Sequence, residues 1–339
     1  MILYWSLILA VSMLLYVLLD GFDLGVGMLF GLTRDETRRS HMLAAVSPLC
    51  RRCVAAVSPL WDGNETWLIV AGVVLWGAFS PVYSLLVSAF YVPVILMLTA
   101  LIFRGVAFEF RGTARRTRAI WNVGFVVGSV VAAFMQGAMV GALAKGLPVV
   151  NGRFAGDVMT WCSTFSALCG VALCAGYALL GASWIVKKCE AGARDAAYRA
   201  MTPLLLVVLV LLIVLFLHAL HEDLAIMHRW LDRPYLFLVP LVALCAIAGT
   251  LTGVRRRRDN QPFLMIVLLF ICAYAMLAIS FWPYMVPFSL TINQAAGPHA
   301  SLTFMFWGAG LFVYPLMLIY TVYSYSVFKG KVELTSGHY

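Results

Sequence analysis

Charged side chains are scarce in this sequence, and their scarcity excludes an ordinary soluble protein. Only 12% of the 339 residues are Asp, Glu, Lys or Arg, whereas 63% are hydrophobic. A soluble domain carries about 25% charged residues. Apolar runs of about 20 residues, which can cross about 30 Å of hydrocarbon, recur along the whole chain. The sequence therefore predicts an integral membrane protein.

Long polar segments are also missing, so we expect a single membrane domain over residues 1–339. The fold class is predicted to be all-α, because backbone amides in lipid must be satisfied within each segment and no alternating barrel pattern is present. The second and third transmembrane helices are separated least clearly, at Phe79-Ser80-Pro81. The nine helices are expected at about 2–31, 64–80, 82–103, 119–143, 160–186, 201–219, 235–254, 262–282 and 302–327.

Basic residues outnumber acidic ones and give a formal net charge of +9. Their distribution does not indicate a nucleic-acid partner. The first, third, fifth and seventh loops hold 5, 5, 4 and 4 Lys and Arg residues and the C-terminal tail holds 2, which makes 20 of the 24. Since Lys and Arg concentrate in cytoplasmic loops, the pattern predicts an outer N-terminus and a cytoplasmic C-terminus. No residue before Arg34 is positively charged, so we expect the first span to be retained and not cleaved as a signal peptide.

Motifs for catalysis or cofactor binding are few. The chain shows no phosphate-cradling loop, nucleophile elbow or dinucleotide fingerprint. No span interior carries paired histidines, so we expect this chain to bind no haem alone. His218 and His221, followed by Glu222 and Asp223, end the sixth span. They could bind a metal, but a polar helix end at the membrane interface is the favoured interpretation.

The predicted cytoplasmic loop at 33–60 contains two unusual features. The segment AAVSPL occurs at 44–49 and again at 55–60, which looks like an eleven-residue tandem duplication. Loops tolerate insertion well, so extra loop length is its simplest meaning. Cys50 and Cys53 form a CxxC between the copies, with no second pair and no nearby histidine set, so a metal or redox role is not favoured.

Four acidic residues stand out because they adjoin apolar spans. Asp20 and Asp23 lie in the first span, and Asp62 and Glu65 open the second. Each pair is three residues apart and so shares one helix face. An ionised acid at the bilayer centre costs about 2.5–3.5 kcal/mol and is usually functional. The spacing leaves two interpretations open: a proton entry from the cytoplasm, or a helix cap at Asp62 with Asp20 or Asp23 in an ion pair.

Several nearby side chains can support these acids. Trp61, Asn64 and Trp67 surround the second pair. Arg104 lies at the edge of the third span and is the natural partner of an embedded Asp, because a guanidinium can bind a carboxylate through two hydrogen bonds. Glu109 follows in the same motif, FRGVAFEFR.

Five motifs along the chain resemble those of one family. LDGFDLGVGML, SPLWDGNETWLIVAG, FRGVAFEFR, FWPYMVPFSLT and YPLMLIYTVYSYSVFKG occur in the order and spacing seen in subunit II of cytochrome bd-type quinol oxidases. The resemblance implies a haem-free subunit of the bacterial cytoplasmic (inner) membrane, with nine spans in two four-helix bundles plus one peripheral helix. The chain departs from the family in the duplicated loop, in the short outer loop near 144–159, and at Glu65, where some relatives have glutamine.

The resemblance also implies a partner and its cofactors. The family's enzyme oxidises quinol and reduces dioxygen to water, and its two b-type haems and one d-type haem sit in subunit I. Small accessory membrane peptides accompany some members. The family's proton-channel aspartates match Asp23 and Asp62, and Trp67 matches a tryptophan near the proposed dioxygen entry. Some members hold a structural quinone in subunit II, for which no residue-by-residue match can be made.

We therefore expect subunit II of a bd-type terminal oxidase, with Asp23 and Asp62 relaying cytoplasmic protons to an oxygen-reducing centre in the partner. The alternative is a proton-coupled multi-pass transporter that uses the same acids. Missing inverted repeats and missing broken helices weigh against that alternative. A purely structural scaffold would leave the acids unexplained.

Overall fold

The computed structural model describes residues 1–33, 35–46, 60–114, 116–221, 234–327 and 330–331, without the side chains at 60–62, 112–113, 191 and 234–235. Several features predicted from the sequence lie outside the described residues: Cys50, Cys53, most of the duplicated loop, Glu222, Asp223, and the side chains of Trp61 and Asp62.

Long helices dominate the described residues, as the all-α prediction requires. They are α1 (Ile2–Leu32), α3 (Leu60–Ala78), α4 (Ser80–Thr113), α5 (Arg118–Lys145), α6 (Thr164–Lys188), α7 (Ala191–His221), α8 (Leu238–Arg255), α9 (Asn260–Phe281) and α12 (Val313–Val327). Shorter elements are α2 (Glu36–Val46), a 3₁₀ turn (Pro234–Phe237), α10 (Ile292–Ala295), α11 (His299–Met305) and a π-helical turn (Phe306–Gly310). Two small antiparallel hairpins pair β1 (Val149–Val150) with β2 (Arg153–Phe154) and β3 (Tyr284–Val286) with β4 (Leu290–Thr291).

Eight helical segments of the described residues are long and apolar enough to cross a membrane. They coincide with eight of the nine predicted spans, the last being α11, the π-helical turn and α12 in succession, over His299–Val327. The remaining predicted span, 64–80, coincides with α3, a helix of 19 residues. The boundary between the second and third spans is confirmed: Phe79 separates α3 from α4 with non-helical dihedral angles (φ −133°, ψ 49°). The orientation of the termini stays a prediction.

The spanning helices pack as two groups of four. In the first, α1 packs on α3 and α5, and α4 packs on both α3 and α5. In the second, α6 contacts α7 and α9, and α8 contacts the same two helices. The groups meet where α6 lies against α1 and α5. Helix α12 lies at the periphery, since none of its side chains is fully buried.

Helix α1 is the central element, and a section of its C-terminal half is buried on every side. All eight residues from Asp20 to Gly27 are buried. At Gly25, α1 touches the backbone of α6 directly, because an added Cβ would lie 1.8 Å from the carbonyl oxygen of Tyr177. Gly181 faces this contact from α6, where a Cβ would lie 2.5 Å from the Gly25 carbonyl carbon. Small residues allow such close approach of membrane helices.

A charged cluster at the start of α7 connects the C-terminal segment around Lys331 to the second group. Asp259 lies 2.8 Å from the Lys331 ammonium and 3.4 Å from the Arg194 guanidinium. The Tyr198 hydroxyl donates a hydrogen bond of 2.9 Å to the same carboxylate. The cluster therefore connects α7, the turn before α9 and the C-terminal segment.

Candidate functional site: a buried acid cluster around Arg104

Two acids predicted from the sequence lie deep in the protein. Asp20 and Asp23 are 1% and 0% exposed, on the buried section of α1. Helix α3 brings Asn64 and Glu65 against them, and α4 brings Arg104, which is 3% exposed. Because one turn of helix separates Asp20 from Asp23, both can face these neighbours at once.

Arg104 joins an acid from each of two helices. Its Nη1 lies 3.2 Å from Oδ1 of Asp20 and 3.2 Å from Oε1 of Glu65. The Asp20 side of this arrangement is enclosed, whereas 26% of the Glu65 side chain is exposed. The predicted pairing of Arg104 with a membrane-embedded Asp is thus present, and it extends to Glu65.

Asp23 is held by an amide and not by the arginine. Nδ2 of Asn64 donates a hydrogen bond of 2.7 Å to Oδ2 of Asp23 and a second bond of 3.2 Å to the Leu19 carbonyl. The Tyr325 hydroxyl donates to Oδ1 of Asn64 at 2.8 Å and so fixes the orientation of the amide. A residue of α12, far along the chain, thereby stabilises the site.

A second buried amide, that of Gln136 on α5, is connected to the Asp20 region through Tyr16. The Tyr177 hydroxyl donates to Oε1 of Gln136 at 2.8 Å, and Nε2 of Gln136 donates to the Tyr16 hydroxyl at 2.7 Å. Tyr16 precedes Asp20 by one helical turn, and its hydroxyl interacts with that carboxyl. Tyr177 also packs on Gly21, where an added Cβ would meet its ring at 2.6 Å.

The cluster holds more acid than base. Asp20, Asp23 and Glu65 would carry three negative charges if ionised, against the single positive charge of Arg104. Oδ2 of Asp20 and Oδ1 of Asp23 are enclosed and receive no hydrogen bond of good geometry from the described residues. Since burying uncompensated charge is costly, the arrangement favours carboxyls that take up protons or bind water at these oxygens.

The other predicted residues differ in their placement. Trp67 lies on α3, two residues after Glu65, and is fully buried. Its ring packs edge-on against that of Tyr314, with ring centroids 5.9 Å apart. Glu109 is exposed on α4 and lies apart from the cluster, so the structure does not bring it to the site. Arg111, in the same motif, pairs with Glu36 of α2 instead.

Sequence reasoning missed four polar residues at this site: Tyr16, Gln136, Tyr177 and Tyr325. Signals in the sequence could have identified two of them. Tyr16 occupies the same face of α1 as Asp20, four residues earlier. Gln136 is an uncharged polar residue inside the apolar run VVAAFMQGAMV.

The described residues also show whether a metal site is present. They contain no group of three or more His, Cys, Asp or Glu side chains that could hold a metal ion. His218 stacks on Phe165, with ring centroids 5.8 Å apart.

The fold and the site define a class: a polytopic helical membrane protein with a buried, incompletely neutralised acid cluster between its helices. The family model described as cytochrome bd terminal oxidase subunit II matches residues 1–328. The chain belongs to this family. It is accordingly a multi-pass inner-membrane subunit of a quinol oxidase, which is an oxidoreductase complex, and family membership implies a subunit I partner that carries haem.

Individual relatives agree with this assignment. The chain is 26% identical over 368 residues to cytochrome bd-I ubiquinol oxidase subunit 2 of Escherichia coli strain K12, covering 97% of this chain and 94% of the relative. It is 27% identical over 345 residues to cytochrome bd ubiquinol oxidase subunit 2 of Bacillus subtilis strain 168, covering 97% and 96%. The solved structure of bd oxidase from Geobacillus thermodenitrificans shares the fold, with a TM-score of 0.76 at 13% identity and 96% coverage of both chains.

Proposed function

We propose that this chain supplies part of the cytoplasmic proton path of its oxidase. In this proposal Asp23 and Asp62 relay protons to the oxygen-reducing centre of subunit I, within the group formed by Asp20, Asp23, Asp62 and Glu65. The observation that carries the proposal is the buried excess of carboxyls over one guanidinium, with two enclosed carboxyl oxygens that receive no protein hydrogen bond from the described residues. Intramembrane acids of this kind commonly form proton relays.

The remaining roles follow from the resemblance of the motifs. The complex oxidises quinol near the outer face and reduces dioxygen to water, with two b-type haems and one d-type haem in subunit I. This chain binds subunit I and completes its scaffold. Trp61, Asn64, Trp67 and Arg104 support the acids, and Asn64 does so through its bond to Asp23. Protons taken from the cytoplasm for water formation would contribute to the proton gradient.

The resemblance also suggests ligands and partners that nothing in the structure locates. A structural quinone in this subunit and small accessory peptides remain part of the proposal without assigned residues. Family membership leaves the transporter hypothesis without support. A simple extraction separates the two: the chain should copurify in detergent with a second, haem-bearing membrane protein that shows d-type absorbance. A colourless chain purified alone would contradict the oxidase assignment.

The proton role is tested in the assembled two-subunit oxidase. Asp23→Asn and Asp62→Asn should each slow quinol-driven oxygen consumption by about tenfold or more, because a positioned proton donor typically contributes at least that factor. Haem content should stay close to that of the unmodified complex. Glu109→Gln is the matched control, since it also neutralises an acid but at an exposed position outside the cluster. Unchanged turnover in both Asp variants would remove the proposed role.

A further inference from the structure

Three buried side chains form a hydrogen-bonded line that leads away from the acid cluster. We call Tyr16, Gln136 and Tyr177 the Tyr–Gln–Tyr chain. They come from α1, α5 and α6, and they are 2%, 8% and 0% exposed. A buried polar network of this kind is costly unless all its members are satisfied, so its position beside Asp20 calls for an explanation.

The chain has a direction. Tyr177 donates its proton to the amide oxygen of Gln136, so the amide nitrogen faces Tyr16 and donates to the Tyr16 hydroxyl oxygen. The Tyr16 hydroxyl accepts from Gln136 and lies on the same face of α1 as Asp20, four residues earlier. Its own proton is therefore free to turn toward the Asp20 carboxyl, with which it interacts electrostatically. Every donor in the chain thus points toward Asp20, which is the arrangement that stabilises a negative charge there.

The middle member also limits what the chain can do. A carboxamide offers an acceptor oxygen and two donor hydrogens, but it does not release and regain protons as carboxyls do. The chain is therefore suited to hold a charge in place and not to conduct protons. Asp20 additionally contacts the one guanidinium of the cluster, whereas Asp23 receives only the Asn64 amide from the described residues.

We propose that Gln136 is a positioning residue that keeps Asp20 as the fixed anionic partner of Arg104, so that the exchangeable protons of the cluster reside on Asp23 and Glu65. This inference rests on the proposed proton-path function and assigns different roles to its acids. Asp20 stays ionised and neutralises the charge of Arg104, and the other carboxyls of the path carry the protons. Gln136 acts through Tyr16 and touches neither substrate nor cofactor.

The surroundings of Asp20 determine the expected pH response. The titratable and charged side chains of the described residues that face this part of the cluster are Tyr16 and Asp23 on α1, Glu65 on α3, Arg104 on α4, Tyr177 on α6 and Tyr325 on α12. If the chain is broken, Asp20 loses the electrostatic support of the Tyr16 hydroxyl and takes up a proton more readily. The charge of Arg104 then compensates the carboxylates of Glu65 and Asp23, which release their protons at lower pH.

The test measures the pH profile of quinol-driven oxygen consumption by the assembled two-subunit oxidase. In Gln136→Met and in Tyr16→Phe, the alkaline limb of the profile should move to lower pH by up to about one pH unit, the scale of one electrostatic interaction with a buried carboxyl. The double variant should shift no further than either single variant, because both changes interrupt the same chain. Tyr177→Phe should shift the limb in the same direction by a smaller amount.

Tyr274→Phe provides the matched control. Tyr274 also lies in a spanning helix, and its hydroxyl donates to the backbone carbonyl of Ala10 at 2.9 Å, outside the Tyr–Gln–Tyr chain. This variant should keep the pH profile of the unmodified oxidase. The haem content of each purified complex verifies its assembly. Tyr16→Phe and Tyr177→Phe each remove only one oxygen atom, so we expect both variants to assemble.

The outcomes separate this inference from the proposed function. If Tyr16→Phe and Gln136→Met assemble and keep the original pH profile, or if their shifts simply add, the inference is overturned. If in the same series Asp23→Asn still slows oxygen consumption, the proton path stands and only the role of the chain is lost. If neither Asp23→Asn nor Asp62→Asn has any effect, the proposed function itself fails.

Discussion

Replacing Arg104 by methionine is the sharpest perturbation that the cluster allows. The guanidinium is 3% exposed and lies 3.2 Å from both Asp20 and Glu65. Removing one partner of a buried ion pair leaves an uncompensated charge and costs about 3–5 kcal/mol. Asp20, the more deeply buried acid, accounts for most of that loss, because Glu65 can reach water.

The cost can be measured as a rate of inactivation. A multisubunit complex with haem does not unfold in two states, so its half-life at a fixed temperature is the appropriate quantity. A loss of about 3 kcal/mol would shorten the half-life up to about 100-fold where the whole effect appears in the unfolding barrier. Arg104→Met combined with Asp20→Asn should lose much less than the two single variants together, because the double variant leaves no stranded charge on either residue.

Arg118→Met is the comparison at the surface. Arg118 also pairs with a carboxylate, Glu36, at 2.9 Å, but both side chains are about half exposed, at 45% and 44%. Exposed pairs contribute about 0–1 kcal/mol, so this variant should inactivate almost as slowly as the unmodified complex. The reasoning is refuted if Arg104→Met proves no more labile than Arg118→Met, or if adding Asp20→Asn gives no recovery.

Two further predictions concern packing and pH. Gly25→Ala should prevent assembly of the oxidase, because a Cβ there would lie 1.8 Å from the Tyr177 carbonyl oxygen. Gly124→Ala should assemble normally, because its Cβ would meet only the Ala107 methyl group, at 3.4 Å. The yield of haem-bearing complex measures both outcomes. Burial alone would raise the pKa of Asp259, but the bonds and charges of its partners, chiefly Lys331, hold it below the ordinary value. Asp259 therefore stabilises the fold above the pKa of the unfolded chain, near 3.9, and this stabilisation is lost as pH falls through the lower folded value. Asp259→Asn should shorten the half-life slightly at pH 7, by the equivalent of about 0.5 kcal/mol for a partly exposed pair, and should have no effect once the pH is below both pKa values.

Much of the fold could be predicted from the sequence, because each span satisfies its own hydrogen bonds and is recognisable without its neighbours. The joint at Phe79 was also predictable, since Pro81 favours the first turn of a helix. Helix α7 begins at Ala191, about ten residues before the expected start at 201. The charged residues of its first turns extend the helix beyond the apolar run, which hydropathy alone does not detect.

Apart from Arg104, which was expected to pair with an embedded Asp, the site was predictable only where its residues share a helix. Spacing within α1 and α3 identified the acids, but the contacts of Gln136 with Tyr16 and Tyr177 join residues 120 and 41 positions apart. Such contacts depend on which helices are neighbours. Glu109 lies away from the acids because it follows Arg104 by five residues, which places it about 140° around the helix from the buried face.

The glycine contact between α1 and α6 limits which substitutions this sequence can tolerate. The two helices touch through backbone atoms at Gly25 and Gly181. Backbone contact therefore sets the distance between the helices, and side chains do not. Asp23 lies half a turn from that junction, and Tyr177 contributes the carbonyl on the other side. Side chains on the exposed faces of these helices can therefore be exchanged while the distances inside the buried acid cluster stay constant, so long as these two positions carry no side chain.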